Sequence, residues 1–116
     1  MAEYGEWNRK GATLSDVTAK KEYGVDRDFI VKGIKAGKLE YREGVVWGNP
    51  YLRLLRRQLE QYIAEERGAA RLSSSKDQTE LRKIKKQMAE LKRRLAVLEI
   101  RRTELEHALT KNRTEQ

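Results

Sequence analysis

The chain is 116 residues long, 38% charged and 38% apolar, with a net charge of +8 and a pI near 9.8. That composition accommodates one small globular domain plus an extended element, and it favours a polyanionic partner such as nucleic acid. There is no cysteine, which excludes disulfides and thiolate metal sites, and no apolar run of about eighteen residues, which excludes a spanning helix.

Residues 1–12 mix glycine, alanine and charge without periodicity and read as a flexible tail, with Tyr4 and Trp7 as the side chains able to tether it. The tail has no apolar signal region, so a cytoplasmic protein is expected. Ser15 is a favourable N-cap for a first short helix over Asp16–Tyr23, closed by Gly24, with Val17 and Tyr23 pointing inward. Asp26 caps a second helix, Arg27–Ala36, closed by Gly37. Ile30 and Ile34, four apart, form its buried stripe with Phe29 alongside. Only Gly24-Val25-Asp26 separates the two helices, the short glycine-containing turn of a helix-turn-helix.

Lys38–Arg42 and Val45–Gly48 favour strands and flank Glu43-Gly44, which predicts a β-hairpin, or wing. Asn49-Pro50 reads as the N-cap and first-turn proline of a third helix running to about Arg67. Leu52, Leu55, Leu59, Tyr62 and Ile63 make its apolar stripe, and Gly68 stops it. On this reading Trp47 and Tyr51 pack in the core or at its edge, while Arg53, Arg56 and Arg57 lie on the solvated face of the third helix.

Ala69–Ser75 is small and polar, and residues 69–75 read as a linker. Ser75 and Gln78 match a capping box that opens a long helix over residues 76–112, leaving 113–116 to fray. Within that helix Leu81, Ile84, Met88, Leu91, Leu95, Leu98, Leu105 and Leu109 keep a three-and-four spacing broken only at Arg102. Such a stripe needs a second helix to bury it, so a homodimeric coiled coil is expected. A parallel pair would match Glu80 with Lys85, Arg94 with Glu99 and Arg101 with Glu106, but would stack Arg102 on its own mate. An antiparallel pair would match Lys85 with Glu106 and Lys92 with Glu99, and would face Arg102 with a leucine. Exposed pairs are worth only about 0.2–1 kcal/mol each, so charge leaves the orientation open. Residues 1–68 hold 13 Lys/Arg against 11 Asp/Glu, whereas residues 69–116 hold 13 against 7, so most of the positive excess lies on the long helix. Its first half, with Arg82, Lys83, Lys85, Lys86, Lys92, Arg93 and Arg94, reads as a solvated coiled-coil exterior or as a sequence-blind phosphate track.

The stretch from Leu14 to Lys20, the Tyr23-Gly24-Val25-Asp26-Arg27-Asp28-Phe29-Ile30 turn, and Ile34 followed by Gly37-Lys38-Leu39 resemble the winged helix-turn-helix head of the MerR and excisionase-like families. A second likeness, in Ala19, Lys20, Glu22, Tyr23 and Asn49-Pro50, is to the DNA-binding domain of the xeroderma pigmentosum group A repair proteins. The resemblance covers about residues 13–67. It implies a mainly α protein: a head of three helices plus a β-hairpin over residues 13–68, followed by a long coiled-coil helix. It also implies a recognition helix set in a major groove, with Arg27, Asp28, Val31, Lys32 and Lys35 facing outward. Arg27 would pair with guanine, Lys32 and Lys35 with phosphate. Lys38 and Arg42 would be the reach of the wing, and Lys20 and Lys21, with Thr18, the phosphate contacts of the first helix. Asp26, Asp28, Glu40 and Glu43 lie among these cations and lower the local field. Bivalence would compensate, since a second linked head makes its contact intramolecularly.

His107, the only histidine, falls on the outer face of the heptad, and no phosphate loop or nucleophile–base pairing is present. No catalytic residue, metal site, cofactor, small-molecule substrate or membrane partner is therefore expected. The reading that follows is a non-enzymatic, dimeric duplex-DNA-binding protein of bacterial or phage type, acting in transcription regulation or recombination and excision. The alternative is a structural or adaptor protein whose head and coiled coil bind protein partners, as in a phage packaging complex of the small-terminase kind.

Overall fold

The computed structural model describes residues 1–115; Gln116, in the stretch expected to fray, lies outside the described residues. Among the described residues the chain is mainly helical, with a small three-stranded antiparallel sheet and four α-helices, the last of them long and C-terminal. It divides into two compact units, Met1–Thr79 and a second that begins at Glu80.

The first unit opens with a short 3-10 turn at Glu6–Asn8 and strand β1, Thr13–Ser15. Helix α1, Asp16–Tyr23, starts where the Ser15 hydroxyl accepts from the Thr18 amide at 3.1 Å and ends at Gly24, whose φ of 71° only glycine adopts without cost. Helix α2, Arg27–Lys35, starts where the Asp26 carboxylate accepts from the Phe29 amide at 2.9 Å. Both helices lie where their caps place them. Strands β2, Tyr41–Val46, and β3, Asn49–Leu55, form a hairpin, and the sheet order is β1-β3-β2. Helix α3, Arg56–Arg67, follows β3 directly. Helix α4 spans Ala69–Glu115.

The core gathers Leu14 from β1, Ala19 and Tyr23 from α1, and Ile30 from α2. Val25 and Leu39 join from the loops, Leu52 and Leu54 from β3, and Leu59, Tyr62 and Ile63 from α3. Phe29, Ile34 and Leu72 pack against it half-buried. Val17, expected inward, is exposed: it starts α1 on the side away from this core.

Three further expectations, about the elements themselves, fail, each for a physical reason. Asn49-Pro50 does not open a helix. Leu52 and Leu54 alternate inward along β3, whereas the spacing of Leu52, Leu55 and Leu59 imitates a helical stripe across the β3–α3 junction. Pro50 is tolerated because β1 reaches only Arg53, Leu54 and Leu55, and leaves the β3 edge beyond them open. On that same edge the Leu52 amide donates instead to Asp16 Oδ1 at 3.0 Å.

The hairpin turns at Trp47-Gly48 rather than Glu43-Gly44. Val46 pairs with Asn49, and Trp47 and Gly48 both take positive φ, 53° and 79°. This is the two-residue turn whose twist matches paired strands. Gly44 sits inside β2 opposite Tyr51, whose ring occupies the space a Cβ would need. Trp47, expected in the core or at its edge, is 95% exposed.

Residues 69–75 are not a linker. Gly68 alone separates α3 from α4, and the first turns of α4 are held by Leu72 against the core and by the Thr79 hydroxyl, which donates to the Glu22 carbonyl at 2.6 Å. Packing outweighs the weak helix preference of Ser73-Ser74-Ser75.

The second unit is the remainder of α4. Its seam residues, Leu81 through Leu109, are 42–60% exposed in the single chain. Arg102, at the break in the stripe, pairs with Glu106 of its own helix at 3.6 Å, and Arg101 with Glu104 at 3.1 Å. No helix among the described residues is long and apolar enough to cross a membrane.

A bulky residue at positive φ is strained, and the exposed Trp47 ring gains little from burial to offset that strain. Trp47→Asn should therefore stabilise the head by about 1 kcal/mol, raising its melting temperature by roughly 4–8 °C in a domain of this size. An unchanged or lower melting temperature in a calorimetric scan would contradict the turn geometry.

Candidate nucleic-acid interface

The arginines and lysines of the first unit divide into two classes. One class is consumed by the fold. Arg57, at the start of α3, donates from Nε to Glu6 Oε2 at 2.9 Å and from Nη2 to Glu6 Oε1 at 3.0 Å. Arg53, on β3 and not on a helix, donates to the Trp7 carbonyl at 2.7 Å and to the Thr13 hydroxyl at 3.3 Å. Arg56 bridges the Tyr23 hydroxyl at 2.7 Å and the Glu22 carboxylate at 3.4 Å, and it also reaches the Gly11 carbonyl. Tyr23 in turn donates to Glu60 at 2.7 Å, and burial pushes its phenol well above the usual range. Arg53, on a strand, and the half-buried Arg56 are therefore not solvated helix residues, whereas Arg57 is on α3 and exposed as the sequence reading has it, with its guanidinium engaged by Glu6.

The same contacts overturn the flexible-tail expectation. Glu6 and Trp7 are buried, and the Trp7 ring lies beneath the Arg42 guanidinium at 4.5 Å. Tyr4 is exposed and does not tether the segment. A tryptophan in a stretch without periodicity was the one available signal. Its partners lie as much as 46 residues away in sequence, which no local pattern reveals.

The remaining cations assigned to DNA contact lie at the surface, some of them with partners of their own. Lys20 and Lys21 on α1 and Arg27 at the start of α2 surround one groove of about 380 Å³, with Asp16, Val17 and Asp26 as its other walls. Lys32 and Lys35 are exposed farther along α2, and Val31, just before Lys32, is half-buried. The inner face of α2 carries Ile30 and Gly33, both buried. Lys38, beyond α2, pairs with Glu65 on α3 at 3.5 Å. Arg42 rests on Trp7 and lies near the base of the hairpin, remote from its turn. The structure thus gathers Lys20, Lys21 and Arg27 into one groove, places Lys32 and Lys35 beyond it on the same helix as Arg27, and sets Lys38 and Arg42 apart.

Of the carboxylates among these cations, several are occupied. Asp26 caps α2, Asp16 receives the Leu52 amide, and Glu40 accepts from Gln58 at 3.1 Å. Among the described residues no three His, Cys, Asp or Glu side chains are placed to hold a metal ion. No protein-family model, curated protein or solved structure matches the chain.

The Arg57 guanidinium and the Glu3 amide hold the Glu6 carboxyl at about 2, below its ordinary 4.5. A carboxyl that titrates lower in the folded protein stabilises the fold above its ordinary value and loses that contribution as pH falls from 4.5 towards 2. In urea titrations across this window, Glu6→Gln should lose less stability than the unmodified protein. Parallel losses in the two proteins would contradict the Glu6–Arg57 lock.

Proposed function

We propose that the first unit is a winged helix-turn-helix that binds duplex DNA, and that the α4 seam pairs two copies so that two heads act together. The observation that carries this reading is the grouping of Lys20, Lys21 and Arg27 at one groove between α1 and α2, continued by Lys32 and Lys35 along α2. Two helices joined by Gly24-Val25-Asp26, followed by a hairpin in a sheet ordered β1-β3-β2, supply the scaffold that this reading requires.

On this reading α2 enters the major groove, Arg27 reads a base edge and Lys32 and Lys35 contact phosphate. Lys20 and Lys21 contact the flanking backbone. Lys38 and Arg42, engaged by Glu65 and Trp7, contribute field rather than direct contacts. A single head, with little net charge, grips weakly. The seam supplies the second head. Each of its half-exposed leucines gains about 1 kcal/mol on full burial against a partner helix. The pairing of Arg102 with its own Glu106 lowers the cost of bringing two copies of Arg102 together. The role of such a protein is regulatory or recombinational.

Fluorescence anisotropy with a labelled random-sequence duplex, taken across a salt series, tests the head. The unmodified protein should bind at low salt, with log affinity falling by about 0.9 per log unit of salt for each phosphate neutralised. Lys32→Ala/Lys35→Ala should flatten that slope by roughly two phosphates, and Arg27→Ala should weaken binding by about 1–3 kcal/mol on a preferred site. Absence of binding at low salt, or binding unaffected by these variants, rejects the role.

A further inference from the structure

Trp47 is the outlier of the molecule. It sits at the tip of the β2–β3 hairpin, 95% exposed, at a backbone φ of 53° that a bulky side chain rarely adopts. Its neighbours Val45 and Val46 are also exposed, and no charged residue lies between Gly44 and Tyr51. The fold gains nothing from this placement: the ring is outside the core and asparagine would suit the turn better. Strain held in an exposed aromatic side chain at a tip points to a ligand for that ring.

The surroundings indicate which ligand. Trp47, Val46, Pro50, Tyr51 and Val17 line an apolar groove of about 520 Å³. Val17 is also a wall of the cationic groove of Lys20, Lys21 and Arg27. The aromatic tip and the cation cluster therefore belong to one continuous surface that meets at Val17. A protein partner would use the apolar groove without needing three cations beside it. A duplex uses both, with phosphates over the cations and the face of a base against the ring.

We infer that Trp47 is a wedge that inserts at a base step of the bound duplex, partly unstacking it and bending the DNA, while Lys20, Lys21 and Arg27 hold the adjacent phosphates. This rests on the DNA-binding reading of the head and adds to it a mode of contact and a deformation. Apolar side chains inserted between base steps kink duplexes, and the cost of unstacking is lowest where stacking is already weak. The protein should therefore prefer a duplex with a central mismatch over the same fully paired duplex.

The test uses the full chain and a 30-base-pair random-sequence duplex carrying a donor and an acceptor dye at its ends, with and without a central mismatch. Trp47→Asn keeps the turn, and Trp47→Phe keeps an aromatic ring. The unmodified protein should raise energy transfer between the ends and bind the mismatched duplex about tenfold more tightly. Trp47→Asn should abolish both effects and weaken binding about tenfold, as expected for loss of one stacked base, with the salt slope unchanged. Trp47→Phe should retain most of the bend. If the unmodified protein and Trp47→Asn bind and bend the duplex equally, the wedge is overturned and the DNA-binding reading stands. If Trp47→Asn leaves DNA binding intact but lowers the sedimenting mass of the free chain, the tip is a protein contact and the wedge is equally overturned. If the unmodified protein binds no duplex at low salt, the head reading fails and the wedge with it.

Discussion

Helix α2 lies so close to Leu39 and Tyr62 that a Cβ at Gly33 would fall 2.7 Å from a side-chain carbon of each. Both neighbours are themselves buried, so neither has space into which to retreat. Ile30, fully buried one turn earlier, and Phe29, with its ring centroid 4.8 Å from that of Tyr62, fix the rotation of the helix about its axis. The Arg67 guanidinium lies over the Phe29 ring at 4.5 Å from its centroid. With the inner face so constrained, Arg27, Lys32 and Lys35 face outward. The groove shared with Lys20 and Lys21 then follows from the three-residue turn between α1 and α2. A glycine in mid-helix costs about 1 kcal/mol relative to alanine, and here that cost is offset by the close approach it permits.

A second set of contacts decides which cations are available. Charge alone assigns Arg53, Arg56, Arg57, Arg27 and Lys32 to one category. The fold separates them through Glu6, Trp7, Tyr23 and Glu22, which take up the first three. The N-terminal segment is therefore part of the head, and the Trp7 ring of its short 3-10 turn lies beneath Arg42 of β2 and Arg53 of β3. Thr79 and Lys76 tie the start of α4 to Glu22 and Glu60 in the same way, so the long helix begins as part of the first unit.

What was legible in the chain was what local chemistry determines. Ser15 and Asp26 act on amides three residues away, Gly24 and Gly37 take up positive φ just past the helices, and the limits of α1 and the start of α2 follow. Errors arose where two patterns coincided. Gly44 offered a turn and Asn49-Pro50 a helix start, but the alternation of Leu52 and Leu54 across β3 won because it buries both. A tryptophan at positive φ violates the usual turn chemistry, so Trp47-Gly48 gave no turn signal. Ser73-Ser74-Ser75 suggested a linker because the packing of Leu72 and Thr79 against the head is a tertiary event. Of the residues assigned to DNA contact, Lys20, Lys21 and Arg27 converge; Lys38 and Arg42 do not, because their partners Glu65 and Trp7 are distant in sequence.

The head holds nearly balanced charge while α4 carries most of the excess and an apolar stripe left about half exposed. Under the proposed reading these two facts answer one another: weak heads need joining, and the stripe joins them. Sedimentation equilibrium of the free chain at micromolar concentration, repeated with one short duplex at saturation, measures this most directly. The account predicts a mass of two chains when free and two chains on each duplex. A single chain in solution that adds singly to the duplex, or does not add to it at all, would contradict it.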